Sequence, residues 1–349
     1  MPPKPTRRRR ASRALDEMPN LFDSIDIDFS RDDIAGSIIQ EHERKLEEIQ
    51  AGAGNSVEID RAALGRPAQR LRFISFGSGS SGNCAYIGSD KGGVLIDAGV
   101  DAKHVDESLK INGIDPKTIA GIILTHDHSD HLRYAYTILR ANKHMVLYCT
   151  PRCLNGIFRR SSISRRIRDY HRAIYKEIPF EAAGLTITAF ETSHDGTDNV
   201  GFAIDLGDNH FVITTDTGII TERADYYMRQ ANYIMLESNY DSQMLADGPY
   251  PEYLKARIRG ERGHLDNVVA AEYIARIISP RLTHLFLCHL SADNNTPACA
   301  IGAMQRAVEA TGRSVGEATG SMLTSAVDLQ LAALPRFADP PLYTLRPRQ

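Results

Sequence analysis

Several things are missing from this chain, and each absence removes a class of function. No apolar run approaches the roughly 20 residues a membrane-spanning helix needs. The arginine-rich start runs into Asp16-Glu17-Met18-Pro19-Asn20 where an export signal would need an apolar stretch, so a cytoplasmic protein with no membrane partner is expected. The five cysteines, Cys84, Cys149, Cys153, Cys288 and Cys299, form an odd set without a CxxC pair; reduced structural thiols are expected. With 41 Lys+Arg against 44 Asp+Glu, the net charge of -3 offers no global basicity, so nucleic-acid binding must be argued from where the charges sit. There is no GxSxG elbow, no Walker lysine and no HExxH. Serine-nucleophile, P-loop and thermolysin-like chemistry therefore lack support.

What is present suits a folded protein: 349 residues with 42% hydrophobic content can bury a sizeable core. At about 150 residues per domain the length allows two domains, or one large sandwich with tails. Residues 1–70 read as an N-terminal extension, with a basic arm at Arg7-Arg8-Arg9-Arg10, an acidic stretch, and one amphipathic helix over about Asp33 to Ala51. A solvated tail and an arm that touches a partner or nucleic acid both fit this composition, and no protein partner is specified by it. Residues 71–335 read as the folded domain, with 336–349 as a C-terminal tail. Within the domain, short apolar runs closed by Gly, Asp or Asn predict strands at Leu71-Phe76, Ala85-Gly88, Val94-Ile96, Gly121-Leu124, Met145-Tyr148, Leu185-Phe190, Phe202-Leu206, His210-Thr214, Tyr233-Leu236 and Thr283-Leu287. Helices are expected at Lys103-Asn112, Leu132-Ala141, Asp225-Gln230, Asn267-Ile278 and Pro297-Ala310. Gly77-Ser-Gly79-Ser-Ser-Gly82 matches GxGxxG literally, but Gly92-Gly93 turns the chain before a helix can form; a hairpin and not a dinucleotide site is expected.

The densest signal is Thr125-His126-Asp127-His128-Ser129-Asp130-His131. In an extended segment His126 and His128 project the same way and can share an ion, while Asp130 and His131 turn toward a second where a helix begins. Two metals about 3.5 to 4 Å apart suit this spacing. Three further strand ends deliver His194, Asp216 and His289, which complete two N/O sites with Asp216 bridging. Such donors accept Zn, Mn or Fe, and two divalent ions, Mn or Zn, are the expected cofactors.

These residues resemble the metallo-β-lactamase fold hydrolases: His126-x-His128-x-Asp130-His131, His194, Asp216 and His289 match that superfamily's motifs in order, with Asp97 of Val94-Leu-Ile-Asp-Ala-Gly99 as the first, placed at the site structurally. The resemblance covers about residues 71 to 330. Ser78-Gly-Ser-Ser-Gly-Asn83, Glu237-Ser-Asn-Tyr-Asp241, Gly263-His-Leu-Asp-Asn267 and His289-Leu-Ser-Ala-Asp-Asn-Asn295 are similar to the YycJ/WalJ branch, described as DNA exonucleases using divalent metals; Asp266 stands where that branch usually has Ser. The resemblance implies an αββα sandwich, two mixed β-sheets flanked by helices. His128 separates the chain from the superfamily's diiron flavoproteins, which carry Glu there, and the short spacing from Asp216 to His289 leaves no room for the extra domain of another branch.

Two divalent ions lower the pKa of a shared water toward neutrality and offset charge on phosphoryl oxygens, so a phosphodiester is the expected substrate. Asp130 is expected to orient or deprotonate the water. His264 and Glu237 resemble the Glu-His pair with which related tRNA 3'-processing nucleases protonate the leaving oxygen; His264 is assigned as general acid and Glu237 as its orienter. The tract from Arg159 to Lys176 holds seven Lys/Arg and one acid, and Arg257, Arg259 and Arg262 lead into His264. Both tracts suit a nucleic-acid groove, although a solvated helix face accounts for the same composition. Ser80, Ser81, Asn83, Arg165, Arg166, Arg259 and Asn294 are the expected substrate contacts, and DNA attacked from an end is the expected substrate. Two alternatives stay open: a phosphodiesterase for cyclic nucleotides or other small phosphodiesters, and a catalytically silent nucleic-acid-binding module.

Overall fold

The computed structural model describes residues 69–320, 327–338 and 340–347; the expected N-terminal arm and helix lie outside them. Two sheets face each other. The first opens with β1 (Leu71–Gly77), β2 (Cys84–Ser89), β3 (Gly92–Ile96), β4 (Ile119–Ile123), β5 (Val146–Cys149) and β6 (His171–Ala173). The second is built from β7 (Phe180–Ala182), β8 (Leu185–Glu191), β9 (Val200–Leu206), β10 (Asn209–Thr214), β11 (Tyr233–Glu237), β12 (His284–Cys288), β13 (Val315–Glu317) and β14 (Leu329–Ala333). The stretch expected as a C-terminal tail returns to the first sheet as β15 (Tyr343–Leu345), antiparallel to β1 with Phe73 opposite Tyr343. Spatial orders are β15-β1-β2-β3-β4-β5-β6 and β13-β14-β12-β11-β10-β9-β8-β7. Both sheets are mixed: β1–β3 and β7–β10 pair antiparallel, and the remaining neighbours, β15 apart, run parallel.

The period-two alternation of strands explains the layers. Phe73 of β1, Phe211 and Ile213 of β10, and Phe286 and Cys288 of β12 point into the space between the sheets. Val212, Leu285 and Leu287 point outward against the helices Asn267–Ile277 and Pro297–Glu309. On the other outer face Ile74 and Phe76 meet the helices Ala102–Ile111 and Ala135–Ala141. The result is the expected αββα sandwich. At its centre the Phe73 ring lies 4.9 Å from Phe211 and 4.8 Å from Phe286, centroid to centroid. Phe73→Ala is expected to cost about 3–5 kcal/mol, read as a lowered urea midpoint; a midpoint within error of wild type would show that this layer does not hold the sheets together.

Two expectations shift. The helix anticipated over Leu132-Ala141 is two pieces, Ser129–Leu132 and Ala135–Ala141. The loop after β3 intrudes there: the Ala98 amide donates to the His131 carbonyl at 2.6 Å and the Tyr134 amide to the Ala98 carbonyl at 2.8 Å. Only glycine fits at 99, where a Cβ would stand 1.6 Å from the Asp130 carbonyl. Helices Pro151–Arg160, Ser242–Asp247 and Glu252–Arg259 form where no periodicity was read, the first capped by Thr150, whose hydroxyl accepts from the Cys153 amide at 3.1 Å. Gly82 leads into the β2–β3 hairpin and not a helix, so the GxGxxG match binds no dinucleotide in the manner that motif requires. Cys149, Cys153, Cys288 and Cys299 are free thiols, and among the described residues no helix is long and apolar enough to cross a membrane.

Candidate metal centre

Strands β3, β4, β8, β10, β11 and β12 all finish at one edge of the sandwich, and each hands a polar side chain to it. Asp97 follows β3, His126 follows β4, His194 follows β8, Asp216 follows β10, Glu237 ends β11 and His289 follows β12. Asp97, Asp216 and His289 take positive φ values of 58°, 48° and 53°, a left-handed turn that is costly for non-glycine residues and concentrates at functional sites. The turn lifts each side chain out of the strand's alternation toward the shared edge.

The donors converge on one carboxylate oxygen. Asp216 Oδ2 lies 3.8 Å from His126 Nε2, 3.4 Å from His131 Nε2, 3.7 Å from His194 Nε2 and 3.5 Å from His289 Nε2. On one side His128 Nδ1 approaches His194 Nε2 at 3.3 Å. On the other, Asp130 Oδ2 is 3.7 Å from His131 Nε2 and 3.6 Å from His289 Nε2. His126, His128 and His194 thus form one triplet, and Asp130, His131 and His289 another, with Asp216 between them. The orienting partners lie outside this ring. His131 Nδ1 is held by Asp97 Oδ2 at 2.7 Å, His194 Nδ1 by the Gly263 carbonyl at 2.9 Å and His289 Nδ1 by Glu237 Oε1 at 3.0 Å. Each Nε2 is thereby left as a lone pair facing inward.

Two buried atoms in this ring, His126 Nε2 and His289 Nε2, have no hydrogen-bond partner. Orphaned inward lone pairs beside a buried carboxylate fit a divalent cation, and the donor set is that of a divalent-metal centre. Electrostatics show a demand for positive charge here: although burial lowers both, Asp216 and the neighbouring carboxylates raise His131 and His289, so without a cation these two rings hold protons that a metal would displace. Burial holds the His126 imidazole well below its ordinary pKa, so it stays a neutral donor. Burial alone would raise Asp216, but His289 and His131 hold its carboxyl well below the usual range.

Beside the ring opens a cleft of about 210 Å³ lined by Ser80, His194, Asn239, Leu254, Arg257 and His264, among others. His264 Nδ1 meets Glu237 Oε1 at 2.7 Å, which turns the opposite ring nitrogen toward the cleft. Burial lowers the His264 pKa, but the Glu237 carboxylate outweighs it and the net shift is upward. Glu237 itself is fully buried and saturated: Oε1 takes His264 and His289, while Oε2 accepts the Thr217 amide at 2.8 Å and the Leu265 amide at 3.3 Å. It does not line the cleft. Asp266 caps the helix Asn267–Ile277 and accepts from Ser242 Oγ at 2.6 Å, so the Asp at this position keeps the His264 loop tied down.

The expected substrate contacts divide. Ser80 lines the cleft, and Arg336 Nη1 holds Ser80 and Ser81 at 3.2 and 3.3 Å, while Ser81 faces a neighbouring cavity. Asn83 is buried: it clasps the Gly79 backbone and stands 2.9 Å from His131 Nε2, so it shapes the ring instead of reaching substrate. Asn294 is likewise buried: its side-chain amide donates to Ser291 Oγ at 3.3 Å, and its backbone carbonyl accepts the Asp241 amide at 2.8 Å from the loop after β11. Arg165 and Arg166 are exposed on the turn Arg165–Tyr170, with Arg165 5.9 Å over the Phe158 ring. Arg257 lines the cleft and Arg259 does not, because two residues along a helix rotate about 200°. Sequence reading passed over Asp195, 3.2 Å from His128 Nε2, and Ser78, whose hydroxyl accepts the His289 amide at 2.8 Å. An acid adjoining a ligand histidine was the available signal for Asp195; for Ser78 there was none.

Comparison with known proteins agrees with this geometry. Residues 93–289 match the model of the beta-lactamase superfamily domain. The chain is 30% identical over 249 residues to an exodeoxyribonuclease YycJ of Bacillus anthracis, covering 71% of this chain and 93% of that protein. It is also 30% identical over 226 residues to an exodeoxyribonuclease WalJ of Streptococcus pneumoniae serotype 2, covering 64% and 83%. Among solved structures, the metallo-beta-lactamase fold protein YhfI of Bacillus subtilis superposes with a TM-score of 0.54 at 13% identity, over 77% of this chain and 98% of that one. With its matching domain, its 30%-identical relatives and its strand-end ring of imidazoles and carboxylates, the chain belongs to the beta-lactamase superfamily and is a metal-dependent hydrolase of the metallo-β-lactamase fold.

Proposed function

We propose that this protein is a DNA exonuclease of the YycJ type, hydrolysing phosphodiesters at a strand end with two divalent ions, Mn or Zn. The observation that carries the reading is the placement of Asp216 Oδ2 between two donor triplets. The names of the relatives as exodeoxyribonucleases support the choice of DNA. His126, His128 and His194 would hold one ion, Asp130, His131 and His289 the other, with Asp216 shared. When bound, the ions supply Lewis acidity toward the phosphoryl oxygens and acidify a water.

The chain's own groups do the rest. Asp130, at the rim of the ring with its side chain 19% exposed, is placed to orient that water and accept its proton. His264 faces the cleft and, kept protonated by Glu237, donates to the departing oxygen. Asp97 and Glu237 fix imidazole orientation from behind. Cys149, Cys153, Cys288 and Cys299 are free thiols, which supports a reducing compartment, the cytoplasm.

The test is an end-labelled DNA degradation assay with added Mn or Zn, beside His128→Ala and a cyclic-nucleotide control. Short products released from one end by wild type alone are expected; turnover of the cyclic nucleotide only would replace DNA by a small phosphodiester. The arginine tract carries a second expectation. The Arg165→Ala/Arg166→Ala double variant should weaken long-substrate binding at least tenfold and lower the salt slope by about 1.4 for two lost contacts on single strands, and wild-type affinity and slope would remove the tract from the DNA path.

A further inference from the structure

The cleft wall beside the metal ring is the helix Glu252–Arg259, which turns Leu254, Arg257 and Ile258 inward. Of the described residues that line this cleft, Arg257 alone is a lysine or arginine. Its guanidinium is fixed along one edge: Nε lies 2.8 Å and Nη2 2.6 Å from Asp195 Oδ2. Asp195 is in turn anchored on both sides. Its Oδ1 stands 3.2 Å from Nε2 of His128, and its backbone carbonyl accepts from Arg160 Nη1 at 3.2 Å. A continuous path therefore runs from the ligand ring through His128 and Asp195 to one aimed cation on the cleft wall.

We propose that Arg257 is a phosphate anchor, aimed by Asp195, that holds the backbone phosphate next to the one being hydrolysed. This rests on the nuclease reading above and adds the residue that sets the strand in the cleft. Arginine carries five N–H donors in a rigid fork. Asp195 occupies only the Nε/Nη2 edge, so the Nη1 edge remains for an anion. A pre-aimed fork loses less rotational freedom on binding than a free side chain. At about 210 Å³ the cleft falls below the roughly 300 Å³ where small-molecule pockets begin. A strand entering so small a cleft extends beyond it, and Arg257 stands on the wall it would pass. Asp195 also lines the cleft, and through its contacts to both side chains it acts as a positioning residue for Arg257 and His128.

The experiment uses the full chain with Arg257→Ala, Arg257→Lys and Asp195→Asn. Oligothymidylate binding to metal-depleted protein is followed by anisotropy across salt concentrations, and KM and kcat of the metal-loaded protein are measured on the same strand. For Arg257→Ala the salt slope should fall by about 0.7, one single-strand phosphate contact, and KM should rise about tenfold, more than kcat falls. Arg257→Lys should restore the slope while KM stays raised, because a point charge replaces the fork. Asp195→Asn should keep the slope and raise KM, with a lower metal content through His128. Wild-type slope and KM in Arg257→Ala would overturn the anchor. A wild-type protein that degrades no DNA with either metal would instead overturn the nuclease reading, and the binding slopes would still judge Arg257.

Discussion

Asp216→Ala is expected to lower hydrolysis by about three orders of magnitude, because a bound metal supplies several kcal/mol of transition-state charge stabilisation and each ~1.4 kcal/mol is tenfold in rate. The reason is geometric. Asp216 Oδ2 lies within 3.8 Å of the Nε2 atoms of His126, His131, His194 and His289, so its loss removes the negative charge that both triplets face. Metal content measured on the purified variant should fall with activity, and Asp216→Asn should fail in the same way because it keeps the shape without the charge. Full metal content with wild-type turnover in either variant would show that the triplets bind metal independently of the shared carboxylate.

Glu237→Ala should instead be read in stability as well as rate. The alanine leaves four donors, the Thr217 and Leu265 amides and the rings of His264 and His289, without their acceptor in a fully buried place. Breaking such a buried charged network costs about 3–5 kcal/mol, against a total stability of roughly 5–15 kcal/mol, and should appear as a clearly lower urea midpoint. Glu237→Gln retains the volume and an acceptor, so it should recover much of the midpoint. It should not recover kcat, because the neutral amide no longer holds His264 protonated. A Glu237→Ala protein with the wild-type midpoint would contradict the saturated carboxylate seen here.

The metal donors were legible because they are clustered in sequence or sit where an apolar run stops at a His or Asp. His126-x-His128-x-Asp130-His131 needs only strand and helix periodicity to be read as a ligand set, and His194, Asp216 and His289 each close a strand. Substrate contacts were read less well. Arg257 and Arg259 look alike in a basic tract, and only the phase of the helix Glu252–Arg259 separates the one that lines the cleft. Asn83 and Asn294 have the right chemistry for phosphate, yet their side chains are committed to the Gly79 turn and to the Ser291 loop. The short strands β6, β7, β13 and β15 are three residues each, too brief to carry a period, and exist because neighbouring strands offer them partners.

The sequence by itself determined the pattern of strands and helices and pointed to the candidate metal donors, since both follow from local period and from residue type at strand ends. Only the tertiary structure decided that Glu237 is sealed behind His264 and His289 and that Asp195 ties His128 to Arg257. Those contacts join residues 27 to 67 positions apart along the chain. No local pattern encodes them; they arise because two sheets pack face to face and bring their strand ends to a single edge.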